Sequence, residues 1–392
     1  MKKVPLLAKI AAAIVLGIFC GAFTPGVLVR VANTLTGVFD QFIRFMVPLI
    51  VVGLVAPAIA DTGRKAGKML LVTVALAYIS TFLAGAFSFA VSSNVFPSLV
   101  EKGSMTAIAD AGHEFASYIT VKFPPLFDVM SALILSFILG LGMVFRGADT
   151  LKRTMDDFRN IVTGVISSVI VPLLPFYIFG IFFDMTAAGK VRSVLAAFAA
   201  IVVVEAVLTI IVILVQYIAA GAYARVNPFK ALWKMLPAYM TALGTSSSAA
   251  TIPVTRNQVI AAGVKEEVAG FTVPLCATVH LAGSTVKIVA CAVALLIASG
   301  NTGLISWVTF IEFIAMLGVV MIAAPGVPGG AVMASLAAAE SMLGFSKGEI
   351  ALFITLYIAT DSFGTACNVT GDGAISIVVN RLFGGKTNDC RK

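Results

Sequence analysis

The chain has 392 residues, of which 12% are charged and 59% hydrophobic, and its mean hydropathy is +1.03. A soluble domain carries about 25% charged residues, and a soluble fold of this size cannot bury so much apolar surface. The composition therefore excludes a soluble enzyme, a disordered protein and a nucleic-acid-binding protein, and predicts an all-α protein that crosses a lipid bilayer several times.

Eight runs along the chain reach or approach the length of about 20 apolar residues that a membrane-spanning helix needs. They are residues 10–29, 38–60, 69–92, 128–145, 160–183, 194–223, 268–298 and 349–380. The first run follows Lys2 and Lys3 and could mimic a signal peptide. No clean cleavage site of small residues follows it, so we expect a retained first helix.

Two further apolar stretches carry helix breakers at their centres. Residues 229–258 contain Gly244-Thr-Ser-Ser-Ser-Ala-Ala-Thr251, and residues 305–343 contain Pro325-Gly-Val-Pro-Gly-Gly330. Irregular backbone at membrane depth is tolerated only where protein or a water-filled cavity satisfies its polar groups. Each stretch is therefore predicted to form two half-helices that meet at a tip, a re-entrant hairpin. A kinked ordinary span is the alternative for each.

The distribution of Lys and Arg predicts the orientation of this arrangement. With eight spans and two hairpins, 19 of the 27 basic residues fall on the side of the N-terminus and six on the other side. Positive residues mark the cytoplasmic side, so both termini are predicted to be cytoplasmic. The longest polar connection, residues 93–126, is predicted to be an external surface loop.

The last span carries the strongest functional signal. Asp361, Thr365, Asn368 and Asp372 follow at i, i+4, i+7 and i+11, so they share one helical face. Two carboxylates exceed what polar contacts between helices require, although such contacts are the simpler alternative. We interpret the stripe as a path for a cation or an ammonium group. Gly371 permits a local unwinding that would expose backbone carbonyls.

The seventh span has a second polar face, formed by His280, Ser284 and Lys287. A lysine at membrane depth needs a counter-charge or a wet cavity, and Glu205 is a candidate partner. A histidine can carry a proton near neutral pH. His280, Lys287 and Glu205 are therefore candidates for ion coupling. The alternative is that His280 is a neutral hydrogen-bonding residue and that Lys287 reaches a wet crevice.

The two predicted hairpin tips complement these faces. The serines at the first tip, including Ser247 and Ser248, supply hydroxyl groups and free N–H groups at a helix start, which attract a carboxylate. The second tip, with Gly329, supplies flexible carbonyls and a possible gate. Broken helices beside an acidic stripe are typical of secondary transporters.

At these motifs the chain resembles the dicarboxylate/amino acid:cation symporter family, which includes glutamate and neutral amino acid transporters. The resemblance covers nearly the whole chain. Four motifs in this order carry it: Ser-Ser-Ser-Ala-Ala-Thr-Ile-Pro (246–253), His-Leu-Ala-Gly-Ser (280–284), Gly-Val-Pro-Gly-Gly (326–330) and Asp361 through Asp372. It implies a glutamate-transporter-like fold, a homotrimer and alternating access.

The resemblance also implies a division of the chain and roles for single residues. Residues 1–228 would form mainly the scaffold and trimer contacts, with the third span contributing to a transport core built from residues 229–392. Substrate would bind between the serine tip, Gly329 and the last span. Asp361 would hold its ammonium group, and Asn368 its carboxylate, while Asp372 and Asn368 would bind a sodium ion. Thr365 and Gly364 would line the same pocket. No cofactor is expected apart from a possible sodium ion.

Two departures from the family pattern shape the expected function. Acid-selective relatives carry an arginine at the position of Gly364 or Ser246, and this chain has neither. A side-chain carboxylate of the substrate would then lack a cationic partner. The expected substrate is therefore a neutral amino acid with a small side chain, for which Gly364 leaves room.

The second departure concerns sodium. The family's Asn-Met-Asp-Gly-Thr is here His280-Leu-Ala-Gly-Ser284, so Ala282 replaces a carboxylate ligand. A hard cation needs oxygen ligands, so a sodium site shared with Tyr78 and Thr81 is expected to be lost. Coupling to sodium and coupling to protons both remain open.

The sequence thus predicts a secondary symporter for a neutral amino acid, not an enzyme. A sodium-coupled carrier of dicarboxylates or acidic amino acids is the nearest alternative. A channel and a membrane-embedded hydrolase built on Ser247 and His280 are the other classes, and no GxSxG or HExxH motif supports the last of these.

Overall fold

A computed structural model describes residues 6–23, 26–64, 68–103, 117–119, 121–127, 129–187, 189, 191–322, 324 and 329–384. In this part of the chain every regular element is helical. Helices α1 to α7 are Leu6–Gly21, Gly26–Arg64, Lys68–Leu99, Val129–Arg146, Asp149–Val165, Val171–Ala187 and Val191–Ala224. Helices α8 to α15 are Pro228–Lys234, Leu236–Thr245, Ser248–Ala261, Glu266–Val279, Ala282–Ala298, Trp307–Ile322, Gly330–Leu343 and Lys347–Phe383.

Several helices have the length and apolar composition that crossing a membrane requires. Within the described residues six segments qualify: Gly26–Pro57, Lys68–Leu99, Asp149–Ala187, Phe198–Ala224, Glu266–Ala298 and Gly348–Phe383. Four shorter apolar helices accompany them. The prediction of an all-α protein that crosses the membrane several times is confirmed at this level.

The predicted element bounds were wrong in two places near the N-terminus. Helix α1 already ends at Gly21 and the next helix, α2, begins at Gly26. Helix α2 then continues through Pro48 and Pro57 as one element of 39 residues. Apolar runs alone cannot locate such a boundary, because the residues on both sides of it are mainly apolar.

The external loop was also predicted to begin too early. Helix α3 continues to Leu99 with Pro97 in its last turn, so residues 93–99 are helical. The side chain of Asn94 donates to the carbonyl of Ala90 at 2.7 Å, and Ser98 donates to Val95 at 2.8 Å. These local bonds let polar residues continue the helix. Residues 104–116 lie outside the described part.

The centre of the described structure is formed by α12 and α15. Every residue from Ala282 to Ala298 is buried, and α12 packs against α3, α7 and α15. Helix α15 in turn packs against α7, α9, α11 and α12. Neighbouring helices therefore shield the polar faces of α12 and α15 from lipid.

The outer helices instead expose large apolar side chains, including Phe19 on α1, Phe145 on α4 and Phe176 on α6. Helices in a bilayer gain little from the hydrophobic effect when they associate, so close packing has to hold them together. Helix α1 shows such packing, because a Cβ at Gly17 would lie 2.7 Å from the carbonyl oxygen of Phe179 on α6.

We predict that Gly17→Ala destabilises the protein by roughly 1–3 kcal/mol, because the added methyl group meets backbone that cannot move aside alone. Thermal unfolding in detergent micelles measures this change. Gly37→Ala on α2 is the matched control, since a Cβ there has no atom within 4 Å. Equal unfolding temperatures for the two variants would contradict the close α1–α6 contact.

Candidate functional site

The seventh predicted span is broken at the candidate site. Its backbone leaves the helix at His280 (φ −109°, ψ 92°) and Leu281 (φ −118°, ψ 46°), between α11 and α12. His280 therefore does not lie on a continuous helical face with Ser284 and Lys287, and that part of the prediction was wrong. The break places His280 and the first turn of α12 against the polar stripe of α15.

Asn368 binds the start of α12. Its Oδ1 accepts hydrogen bonds from the backbone N–H groups of Gly283 at 2.8 Å and Ser284 at 3.2 Å, and its Nδ2 donates to Ser284 Oγ at 3.0 Å. The first N–H groups of a helix have no partner inside the helix. Asn368 supplies a partner for two of these N–H groups from the neighbouring helix, and thereby fixes the broken span to α15.

Glycines allow this contact to be close. A Cβ at Gly283 would lie 2.5 Å from both the carbonyl oxygen of Gly364 and Cys367 Cβ. A Cβ at Gly371 would lie 2.6 Å from Gln216 Oε1 and 2.7 Å from His280 Cε1. The unwinding that Gly371 permits is not present, because α15 is helical from Lys347 to Phe383. Gly371 makes room for the neighbouring side chains instead.

His280 and Asp372 form one polar centre. Nδ1 of His280 lies 2.9 Å from Asp372 Oδ1. Its Nε2 lies 3.0 Å from Ser80 Oγ, which also accepts a hydrogen bond from Gln216 Nε2 at 2.9 Å. Each of these bonds can form with a neutral imidazole that donates through Nδ1 and accepts through Nε2. Asp372 Oδ2 is buried without a hydrogen-bond partner.

Lys287 and Asp361 form a second polar centre, further along the same two helices. Lys287 is fully buried, and its Nζ lies 3.9 Å from Asp361 Oδ1. The ammonium donates to the carbonyl of Tyr357 at 3.1 Å and lies 3.8 Å from the centre of the Tyr357 ring. A hydrogen-bonded ammonium on an aromatic face beside a carboxylate is well compensated.

The space beside Gly364 is occupied by this lysine. A Cβ at Gly364 would lie 2.7 Å from Lys287 Cδ and 3.2 Å from its Nζ. No arginine stands at this position, so the sequence alone predicted no cation there. The structure brings an ammonium from α12 to the same place. Whether Gly364 also leaves room for a substrate side chain stays a prediction.

Glu205 approaches this centre from α7. It is buried, its Oε1 accepts a hydrogen bond from Cys291 Sγ at 2.9 Å, and its Oε2 has no hydrogen-bond partner. It interacts electrostatically with Lys287. Among the described residues the only ion-pair contact of Lys287 within 4 Å is with Asp361, so Glu205 is a longer-range neighbour of the ammonium.

The first serine tip forms a sharp turn between α9 and α10. Ser246 adopts a left-handed conformation (φ 49°, ψ 31°). Ser247 caps α10 by accepting a hydrogen bond from the N–H of Ala250 at 3.3 Å, and Ser248 is buried. Their roles toward a ligand stay a prediction.

The second tip reaches the stripe directly. The N–H of Gly329 donates to Asp361 Oδ2 at 2.8 Å, and Gly329 has a positive φ of 74° that favours glycine. Residues 325–328 of this tip lie outside the described part. Thr365, one turn beyond Asp361, donates its hydroxyl to the Asp361 carbonyl at 2.9 Å.

Tyr78 and Thr81, the residues expected to share the lost sodium site, differ in their contacts. Tyr78 donates its hydroxyl to the carbonyl of Ala315 on α13 at 3.2 Å, whereas Thr81 Oγ1 has no partner. Ala282 contributes no oxygen from its side chain. The described residues contain no cluster of three or more His, Cys, Asp or Glu that could hold a metal ion.

Three site residues were missed from the sequence. Tyr357 stands one turn before Asp361 on the same face, so extending the stripe by four residues would have found it. Gln216 lies 11 residues after Glu205 and therefore on the same face of α7. Ser80 gave no such signal, because small hydroxyl residues are common in membrane helices.

Comparison with known protein families identifies the family of this chain. The family model for the sodium:dicarboxylate symporter family matches residues 6–382. The chain belongs to this family. It is therefore a transporter and not an enzyme, and the resemblance carried by the four motifs is confirmed.

Several relatives in the sodium:dicarboxylate symporter family are similar along the chain. The serine/threonine transporter SstT of Acinetobacter baumannii (strain AYE) is 28% identical over 96% of this chain and 97% of its own. SstT of Campylobacter jejuni is 28% identical over 76% and 75% of the two chains. SstT of Streptococcus thermophilus is 26% identical over 73% of each.

We predict that Asn368→Ala lowers the stability of the ligand-free protein, because two buried N–H groups lose their acceptor, at about 1–3 kcal/mol for an unsatisfied group. The unfolding temperature in detergent measures the loss. Thr365→Ala is the control, since its hydroxyl only bonds the carbonyl one turn earlier in its own helix. A drop for Thr365→Ala as large as for Asn368→Ala would contradict the assigned role.

Proposed function

We propose that the protein is a secondary active symporter that imports a neutral amino acid, with a small side chain favoured, by alternating access. The observation that carries this proposal is the buried Asp361, whose carboxylate faces the Gly329 tip. A carboxylate at this position of the family motif suits an amino acid's ammonium group. Relatives named serine/threonine transporters cover almost the whole chain, which supports a small neutral substrate.

The proposed membrane arrangement has eight spans, two re-entrant hairpins and cytoplasmic termini. Helices α9 and α10 pack against each other across the turn at Ser246, and α13 packs against α14. These pairs support the two hairpins. The burial of α12 and α15 supports a transport core in residues 229–392, with the earlier helices mainly as scaffold. A homotrimer in the cell membrane follows from the family resemblance.

Within this core we propose that Ser247, Ser248 and Asn368 hold the carboxylate of the amino acid. Asn368 Oδ1 is engaged by α12 in the described state, so its amide would act on the ligand through Nδ2. Gly364 and Thr365 would border the side chain of the substrate.

A carrier of dicarboxylates or acidic amino acids is the second candidate. Lys287 favours it, since an ammonium beside Gly364 could pair with a second carboxylate. Against it, the ammonium is already bound to the Tyr357 carbonyl and lies beside Asp361. Binding of serine, of aspartate and of succinate to the purified protein, each measured by isothermal titration calorimetry, separates the two functions. Binding of serine alone supports the first function, and binding of the acids alone overturns it.

We propose that uptake is driven by sodium or by protons. Sodium would then be a transported ligand and not a resident cofactor. The unpartnered, buried Asp372 Oδ2 supports a cation near this residue, because a carboxylate oxygen is a good ligand for a hard cation. Asp372 Oδ1 is taken by His280. Imposing sodium and pH gradients separately on proteoliposomes shows which gradient drives uptake.

We predict that Asp361→Asn abolishes amino acid binding. Losing the carboxylate that pairs with a buried ammonium costs roughly 2–5 kcal/mol. Binding of serine to the purified protein, with intact folding checked by size-exclusion chromatography, measures the effect. Asp184→Asn on α6 is the control, because it neutralises a carboxylate outside the site. Wild-type affinity in Asp361→Asn would overturn the assignment.

We predict that His280→Asn combined with Ala282→Asp creates a sodium-dependent stabilisation. The two substitutions restore the amide and the carboxylate of the family motif. Sodium at a concentration 100 times its dissociation constant would then raise the free energy of unfolding by about 2.7 kcal/mol. Unfolding temperatures in sodium chloride and in choline chloride give the difference. The control is His280→Asn with Ala282→Asn, which adds no charge; an equal sodium response in both would contradict the prediction.

A further inference from the structure

The centre around Lys287 contains more negative than positive groups. One ammonium from α12 stands with two buried carboxylates, Asp361 from α15 and Glu205 from α7. All three residues are at least 95% buried. A buried charge without a partner is costly, and a single lysine cannot neutralise two carboxylates. With both carboxylates ionised, the centre can therefore accept one further positive charge.

The lysine lies on the Asp361 side of this centre. Its Nζ is 3.9 Å from Asp361 Oδ1 and is held by the ring and the carbonyl of Tyr357. In that position it neutralises the carboxylate that the proposed function assigns to the substrate's ammonium. Two ammonium groups at one carboxylate would repel each other, so the lysine and the substrate compete for Asp361.

Glu205 offers the lysine a second partner. One of its oxygens has no hydrogen bond, and the other is held by Cys291, which is one turn after Lys287 on α12. Residues four apart lie on the same helical face, so Lys287 stands on the face of α12 whose Cys291 contacts Glu205. A lysine ammonium is carried on a flexible four-carbon stem, so a change of partner requires rotation of the Lys287 side chain.

We propose that Lys287 is a specificity-determining counter-ion that leaves Asp361 for Glu205 when the ammonium group of the substrate binds. This inference rests on the proposed function and adds a requirement to it. In the bound state each carboxylate has one cation: Lys287 pairs with Glu205, and the substrate pairs with Asp361. A ligand without an ammonium group leaves Lys287 at Asp361 and gains nothing from the exchange.

Four forms of the full-length protein test the exchange: wild type, Lys287→Met, Glu205→Gln and the double variant. Binding of serine and of its des-amino analogue is measured by isothermal titration calorimetry. Lys287→Met removes the competitor. Serine should then bind about tenfold more tightly, which is the gain expected when Lys287 occupies Asp361 in about nine-tenths of the ligand-free protein. Glu205→Gln removes the alternative partner, so serine should bind at least about tenfold more weakly.

The double variant is decisive. Without Lys287, the loss of Glu205 should no longer weaken serine binding, so the double variant should match Lys287→Met. Glu349→Gln is the matched control, because it neutralises another buried carboxylate, one that caps the start of α15. It should leave serine affinity unchanged.

Other results would overturn the exchange. If the effect of Glu205→Gln persists in the absence of Lys287, or if Lys287→Met weakens serine binding, Lys287 is not a competitor. If Lys287→Met does not fold, Glu205→Gln decides alone: a loss confined to serine supports the exchange, and equal affinity or an equal loss for the des-amino analogue overturns it. Wild-type protein that binds no amino acid would overturn the proposed function, and the exchange with it.

Discussion

A fully buried lysine beside a carboxylate that the site itself needs is the constraint on which the rest of this core depends. The Tyr357 ring and carbonyl, Asp361 and the more distant Glu205 surround the Lys287 ammonium and favour its charged form. Three helices must therefore remain packed around it. The same lysine fills the space at Gly364, so it determines both the charge and the free volume that a ligand would encounter.

The geometry that holds this lysine comes from one broken helix packed against one continuous helix. The backbone leaves the helix at His280 and Leu281, and Asn368 binds the N–H groups of the new start at Gly283 and Ser284. This contact separates two polar centres along α15, the pair of His280 with Asp372 and the pair of Lys287 with Asp361. Glycines at 283, 364 and 371 keep the helices close enough for both pairs to form.

The sequence contained the polar stripe of α15 and the membrane-spanning character of the chain, because both depend on periodicity and composition alone. It did not predict the break at His280, since no proline or glycine stands at residues 280 and 281 and the cause is tertiary: Asn368 and Asp372 bind the interrupted segment. It also assigned no cation to the vicinity of Gly364, because the ammonium arrives from another helix through a long side chain. Contacts between helices of this kind leave no spacing signal along the chain.

A cryo-electron microscopy structure of the protein with and without bound serine tests the central claim most directly, through the position of the Lys287 ammonium. The account predicts that Lys287 is beside Asp361 in the ligand-free protein and within ion-pair distance of Glu205 when serine is bound, with the serine ammonium at Asp361. A Lys287 ammonium that remains beside Asp361 in the serine-bound structure would contradict the account.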